Sequence, residues 1–485
     1  MNLCRNITAV VGFFLALTLS LSLAVGAVEY PPAIGPQSVV VLTVEFSDEK
    51  PECYPPVEQI EAVIFGMVSD YYQEVSYGQM FFEGYVTKKF YQIGSMDYYR
   101  EKGSPSLGWN MDIVADAILA ADEEVDYSAY RHVIVVLTTP RKFGWWISCP
   151  DVYADLHVET NDGTTVESGI LLQGSATAIS GWVNIRHFLG WIYALGMKLG
   201  LPDDTKYPPQ LINPPFVQVH KLAWEKIVLG WIPPEKVSEV PLGTTTRVVL
   251  DPIEQNTTGT LVVKIVKTPE SYWLVEARRP IGYDAYSPTL AGPDTPADVI
   301  GHPPIEGVLI TRIIHPASAG PPTWRGLRIV SEGPPLGIGP NETAIFVNEE
   351  ENLLIAVVEE VGLSYVIDIT TADRETEIRK LLEQRPRFIV TDLDISPTRV
   401  GAKHPVTISV SVTNVGKQEG SCSVHLETQY GPRWYKLGYY VDTQRVTLAG
   451  GECKIVAFTV VAEDLGLWLV RVAGLEGEFT VLFSK

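Results

Sequence analysis

The side chains best suited to chemistry lie near the middle of the chain, where His187, Asp203, Asp204 and His220 fall within one short stretch. Two imidazoles and a carboxylate are the donor types of a three-residue zinc site, so His187, His220 and Asp203 form one candidate ligand set. Asp203 with Asp204 offers the oxygen donors that a hard ion such as Ca²⁺ prefers. A helix-exit turn, in which Pro202 and Asp203 stop a helix for backbone reasons, accounts for the same acids without any ligand. Asp112 and Asp116 stand four apart, a spacing open to acid–base work, but Ile113, Val114, Ala117 and Ile118 line the apolar side of the same helix, and the acids read as its solvated face. Ser76 sits in a Ser76-Tyr77-Gly78 turn and is not read as a nucleophile. The sequence has no GxSxG elbow and no phosphate loop.

The element that would position the central residues is Gly181 to Asp204, GWVNIRHFLGWIYALGMKLGLPDD. A zinc-peptidase helix carries HExxH, two histidines on one face as ligands and a glutamate that activates the bound water. The exit Leu199-Gly200-Leu201-Pro202-Asp203 resembles the LGLPD that follows HExxH in the M6 peptidases, the immune inhibitor A family. In that register the first histidine is replaced by Tyr193, the glutamate by Ala194 and the second histidine by Met197, while Gly196 and the tail through Asp203 match. Neutral tyrosine and methionine are poor zinc ligands, and alanine is no base. Reading His187 as the first histidine instead leaves a single imidazole, about 240° around the helix from Tyr193.

Three further blocks carry the same resemblance. VVVLTVEFSDEKP from Val39 and VSYGQMFFEGYVTKKFYQIGSMDYY from Val75 are similar to the family's N-terminal part, and the segment from Val219 to Trp231, ending in Leu229-Gly230-Trp231, resembles the helix that closes its catalytic domain. Taken in order, the spacing predicts a strand over Val39 to Phe46, a helix over Val57 to Tyr72, a hairpin strand over Met80 to Tyr91, a helix over Met111 to Ala121 and a strand over His132 to Leu137. Asn161-Asp162-Gly163 predicts a hairpin turn. From Val240 to Ile369 the sequence is strands and turns, similar to the β-rich region that packs on the peptidase domain in that family. Residues 388–485 read as a β-sandwich. There the phrase around Val412-Thr413-Asn414-Val415-Gly416 is similar to CARDB domains, the cell-adhesion-related sandwiches of extracellular proteins.

Composition bounds the partners. With 37 basic against 58 acidic residues and no basic run, the chain is not read as a binder of nucleic acid or of an anionic membrane. Arg5 precedes an apolar run from Ile7 to Ala27, read as a signal peptide, with an uncleaved signal anchor as the alternative and the one route to a membrane. Export makes disulfides available, and keeping pairs within domains favours Cys53–Cys149 and Cys422–Cys453. Asn256-Thr257-Thr258 and Asn341-Glu342-Thr343 fit the N-glycosylation pattern.

The expected fold is therefore a zincin-like α/β metallopeptidase domain (28–238) behind a signal segment (1–27), then a β-rich companion (239–372), a helical linker (373–387) and a CARDB-like, Ig-like β-sandwich (388–485). The expected function is that of a secreted or cell-surface pseudopeptidase without a cofactor, binding a polypeptide or a cell-surface partner. Two alternatives stay open: an active secreted metallopeptidase with zinc on non-standard ligands, and an architectural cell-envelope protein.

Overall fold

A computed structural model of the chain describes residues 32–48, 57–102, 107–138, 146–148, 156–167, 169–174, 195–196, 199–201, 220–284, 306–315, 327–337, 342–430 and 437–483. The signal segment, Cys53, Cys149, His187, Tyr193, Ala194, Met197, Asp203, Asp204 and Asn341 lie outside the described residues. The architecture is mixed α/β with a majority of strand.

The first sheet is built on β1 (Gly35–Phe46). The chain adds α1 (Val57–Glu61), a π-helical stretch (Ala62–Val68), α2 (Ser69–Val75), β2 (Met80–Val86), β3 (Tyr91–Ile93), α3 (Met96–Lys102), α4 (Leu107–Ala121), β4 (His132–Thr138), β5 (Trp146–Ser148), the pair β6 (Val158–Glu159) and β7 (Thr165–Val166), and β8 (Ile170–Gly174). Sheet order is β2-β1-β4-β8-β5, with β3 also on β1. All neighbours run parallel except β5, which is antiparallel to β8. The run VVVLTVEF is apolar at nearly every position because both of its faces are covered, as parallel sheets require. Val39 and Val41 pack toward the helical stretch 57–75, and Val40, Leu42, Val44 and Phe46 toward Ile113, Val114, Ala117 and Ile118 of α4.

The segment expected as one hairpin strand is instead two strands, both parallel to β1. The break is held by Thr43, whose hydroxyl reaches Thr87 O at 3.3 Å and Lys89 O at 3.0 Å. The Asn161-Asp162-Gly163 turn does join a hairpin, β6–β7: Asp162 accepts from the Thr160 hydroxyl at 2.6 Å and Thr164 N–H at 2.8 Å, and Gly163 takes φ +82°. Asp116 is not merely solvated, since its carboxylate accepts the Tyr99 hydroxyl at 2.7 Å. Ser76 closes its turn as read, accepting Met80 N–H at 3.0 Å.

After α5 (Ala223–Val228) come β9 (Val237–Pro241), β10 (Thr246–Leu250), β11 (Val262–Thr268), β12 (Ser271–Arg278), β13 (Gly307–Ile314), β14 (Arg328–Ser331), β15 (Ile345–Asn348), β16 (Leu353–Val361) and β17 (Ser364–Thr370). They form two sheets, β14-β13-β12-β11-β9 and β10-β17-β16-β15. Val263, Ile265, Trp273 and Val275 meet Leu250, Ile355, Val357 and Ile367 between them. The other face of the first of these sheets joins the α/β core, where Val262, Leu274, Leu309 and Ile313 share one cluster with Tyr71, Tyr72, Leu195 and Trp231. The charged linker is helical as expected, α6 (Glu375–Gln384), and it docks through Ile378 on the outer sheet.

The C-terminal strands are β18 (Phe388–Ser396), β19 (Arg399–Gly401), β20 (Pro405–Asn414), β21 (Gly420–Tyr430), β22 (Leu437–Leu448), β23 (Cys453–Val461), β24 (Gly466–Val472) and β25 (Leu475–Leu482). Sheets β18-β20-β23 and β19-β25-β24-β21-β22 enclose one core. Asn414, buried in the VTNVG phrase, clamps the turn by donating to Gln418 O at 2.8 Å and Leu448 O at 3.0 Å.

The expected Cys422–Cys453 disulfide is not formed; both are free thiols. Cys422 lies on β21, facing the core, and Cys453 opens β23 in the opposite sheet and is exposed. Strands close in sequence thus fall in different sheets, one thiol pointing in and the other out. Burial pushes the Cys422 thiol up to about 12. In the native protein a thiol reagent at pH 8 is expected to modify Cys453 rapidly and Cys422 only after unfolding. Peptide mapping that finds the two joined would overturn the assignment.

Candidate functional site

The described end of the central helix is a packed helix exit. Leu199 N–H donates to Leu195 O at 2.9 Å and Leu201 N–H to Gly196 O at 3.0 Å, and Gly200, at φ +102°, turns the chain in a conformation that glycine adopts freely. A β-carbon on Gly196 would lie 3.1 Å from the Tyr72 hydroxyl oxygen, a contact tight enough that the tyrosine would have to shift by a few tenths of an ångström. Beside this exit the α/β layer and the β-rich layer meet in a cluster of buried charge.

His220 is its hub. Although read as a candidate metal ligand, it has both ring nitrogens engaged: Nε2 lies 3.1 Å from Glu74 Oε1 and Nδ1 lies 3.2 Å from Lys226 Nζ. Its backbone N–H donates to Asp284 Oδ1 at 2.6 Å. Among the described residues no three His, Cys, Asp or Glu side chains are grouped to hold a metal. His187 and Asp203, its expected partners in a zinc site, lie outside the described residues. Glu74, at the end of α2, also accepts Tyr283 N–H at 2.8 Å, and Gly282, at φ +56°, leaves the room: a β-carbon there would lie 1.9 Å from Glu74 Oε1.

Arg278, at the end of β12, holds the acids. Its Nε donates to Glu276 Oε1 at 2.7 Å and its Nη1 to Asp284 Oδ2 at 2.7 Å and His220 O at 3.2 Å, with Glu254 Oε1 at 3.8 Å. Glu276 Oε2 accepts Ala223 N–H at 2.6 Å and so satisfies a free donor at the start of α5. Lys226, wholly buried, donates to Ile253 O at 2.9 Å and stands 4.2 Å over the Tyr77 ring. None of its partners is a carboxylate, so its charge is poorly compensated.

The electrostatics follow from that arrangement. Burial, and then Arg278, bring the Lys226 amine down to about 7. Burial lowers His220, and the His220 hydrogen bond holds Glu74 below the usual carboxylate range. Burial, with Asp284 adding to it, raises Glu254 to about 9; Asp284, despite its own burial, is held low by Arg278. The proton of this pair thus resides on Glu254 and the charge on Asp284.

The pH dependence has opposing parts. The raised Glu254 contributes stability that is full below its unfolded value and is lost as pH rises through about 9. The lowered Lys226 contributes stability that is full above its unfolded value and is lost as pH falls through about 7. Between pH 7 and 9 the two slopes oppose. Glu254→Gln removes a falling contribution, so its urea midpoint should climb more steeply from pH 7 to 9 than the parent's; parallel profiles would refute the assignment.

Of the sequence candidates, the structure brings His220 into this cluster. Asn256 is exposed and its side-chain oxygen meets Lys236 Nζ. Glu74, Lys226, Glu254, Glu276, Arg278 and Asp284 were not singled out from sequence. The available signal was Glu276 and Arg278 on the end of an apolar strand run, YWLVEAR.

No protein-family model matches the chain, and no curated protein does. Solved structures overlap it over a fifth of its length. They include a β-glucosidase from Erythrobacter marinus (18% identity, 20% of this chain and 16% of that one, TM-score 0.19), a Listeria innocua β-glucosidase in complex with isofagomine (17%, 21% and 17%, 0.18) and a Paenibacillus cycloisomaltooligosaccharide glucanotransferase (23%, 20% and 14%, 0.17). The overlap spans less than a fifth of those proteins' own lengths, and such similarity carries no argument about function.

Proposed function

We propose that the chain is an exported, zinc-free pseudopeptidase of M6-like, zincin-like build that binds extended polypeptide, with its CARDB-like, Ig-like C-terminal unit directed to a cell-surface partner. The observation that carries the polypeptide reading is strand β5. It is the single antiparallel strand of its sheet, and among the described residues its outer edge has no strand partner. Such an edge offers backbone donors and acceptors to an extended chain, which can add as a further strand. If the M6-like register holds, Tyr193, Ala194 and Met197 stand where HExxH would be, so a chain bound at this edge would not be cut. Fluorescence anisotropy of labelled, reduced casein tests both halves. The expected outcome is saturable binding with the label intact and no stoichiometric zinc in the purified protein. Chelator-sensitive cleavage would establish the active-peptidase alternative, and absence of binding would leave the architectural one.

A further inference from the structure

The outer face of the smaller sheet of the C-terminal sandwich, β18-β20-β23, carries an unusual set of side chains. Alternation sends Val406, Ile408, Val410 and Val412 of β20 and Val456, Phe458 and Val460 of β23 into the core. Pro405, Thr407, Ser409, Ser411 and Thr413 therefore face outward beside Cys453, Ile455, Ala457, Thr459 and Val461. The two rows are in register, with Ile455 opposite Ser411, Ala457 opposite Ser409 and Val461 opposite Pro405. None of these ten residues is charged, although on a soluble surface about two or three of ten would be. Apolar side chains stand open among them: Ile455 is 69% exposed and Val461 56%. The third strand, β18, adds Asp394 at the margin, opposite Ser409. Addition of an extended chain along the edge of β23 is obstructed, because Gln444 of β22 donates to Ala457 O at 2.6 Å in the middle of that edge.

We infer that this face pairs with its own counterpart on a second copy of the chain, face to face about a two-fold axis. In such a pair each residue meets the same surface rotated, so a fixed charge near the axis would meet its like. The chain carries a net charge of −21, so two copies repel over most of their surface, and a face clear of charge is where they can approach. The hydroxyls of Thr407, Ser409, Ser411, Thr413 and Thr459 each donate and accept, which suits a surface that must complement itself. The footprint, three strands wide and about nine residues long, is roughly 30 Å by 14 Å. That is below the about 800 Å² per partner of a standard interface, so the pairing is weak and set by concentration. It depends on neither polypeptide binding nor zinc.

Sedimentation equilibrium of the full chain from about 10 μM to about 1 mM, in about 0.15 M salt to screen the net charge, tests this. The parent should pass from monomer to dimer across that range. Ile455→Lys changes an exposed position and leaves the core intact; it should weaken the dimer at least about tenfold, because two lysines then enter one interface, even though the added cations lower the overall repulsion. Val249→Lys, the same change at an exposed apolar position on β10, should not weaken it. A parent that stays monomeric at the highest concentration overturns the proposal and leaves the face to an unlike partner. So does an Ile455→Lys variant that dimerises as the parent does, because the copies then meet elsewhere.

Discussion

Replacing Arg278 by leucine should cost about 3–5 kcal/mol of stability, the range observed when one partner of a buried ion pair is removed and the other charge is left behind. The size follows from what remains. Glu276 and Asp284 are fully buried, each within 2.7 Å of the guanidinium, and His220 O would lose a donor as well. Lys226 hydrogen-bonds Ile253 O and His220 Nδ1 rather than either acid. Arg278→Lys should recover only part of the loss, since an ammonium is a point charge where a planar fork reaches two acids at once. Urea unfolding followed by circular dichroism measures both variants. A loss below about 1 kcal/mol for the leucine variant would mean that water reaches the acids.

Rebuilding HExxH should change metal binding more than any other substitution. Tyr193→His, Ala194→Glu and Met197→His together place two imidazoles and a base just ahead of Leu199-Gly200-Leu201-Pro202-Asp203, and the triple variant is expected to bind one Zn²⁺ where the parent binds none. Activity is a separate matter, because groups that orient the histidines contribute about 10- to 100-fold, and if the parent binds no metal nothing would have kept them in place. Calorimetric titration with zinc, read beside a melting curve, gives the result. A well-folded triple variant without zinc affinity would show that the register is wrong.

How much was legible in the sequence depended on whether the signal was local. The apolar run of β1, the period of α4, the Asp-Gly hairpin and the strand-rich character of the chain after Val240 were readable, because each follows from alternation, helical spacing or turn chemistry within a few residues. The parallel pairing of β2 and β3 was not, because two strands separated by a short polar link look the same in sequence whether the chain reverses or continues. The Cys422–Cys453 pairing failed for a related reason: the two cysteines face inward and outward on strands of different sheets, and loop length carries no record of which sheet a strand joins. The buried cluster was the hardest to foresee. Glu74, His220, Glu254 and Arg278 look like ordinary surface residues until the β-rich layer covers them.

That cluster also sets a timetable. Glu74 and Tyr77 leave the ribosome roughly 200 residues before Arg278, and at about 5–20 residues per second the delay is about 10–40 s. During that interval the helical stretch 57–75 has a sheet on one side, but the strands that cover Tyr71 and Tyr72 do not yet exist. The first unit therefore emerges with an open apolar flank and, at Glu74, an acid still waiting for its histidine. A truncated product ending near residue 238 would keep that flank open permanently.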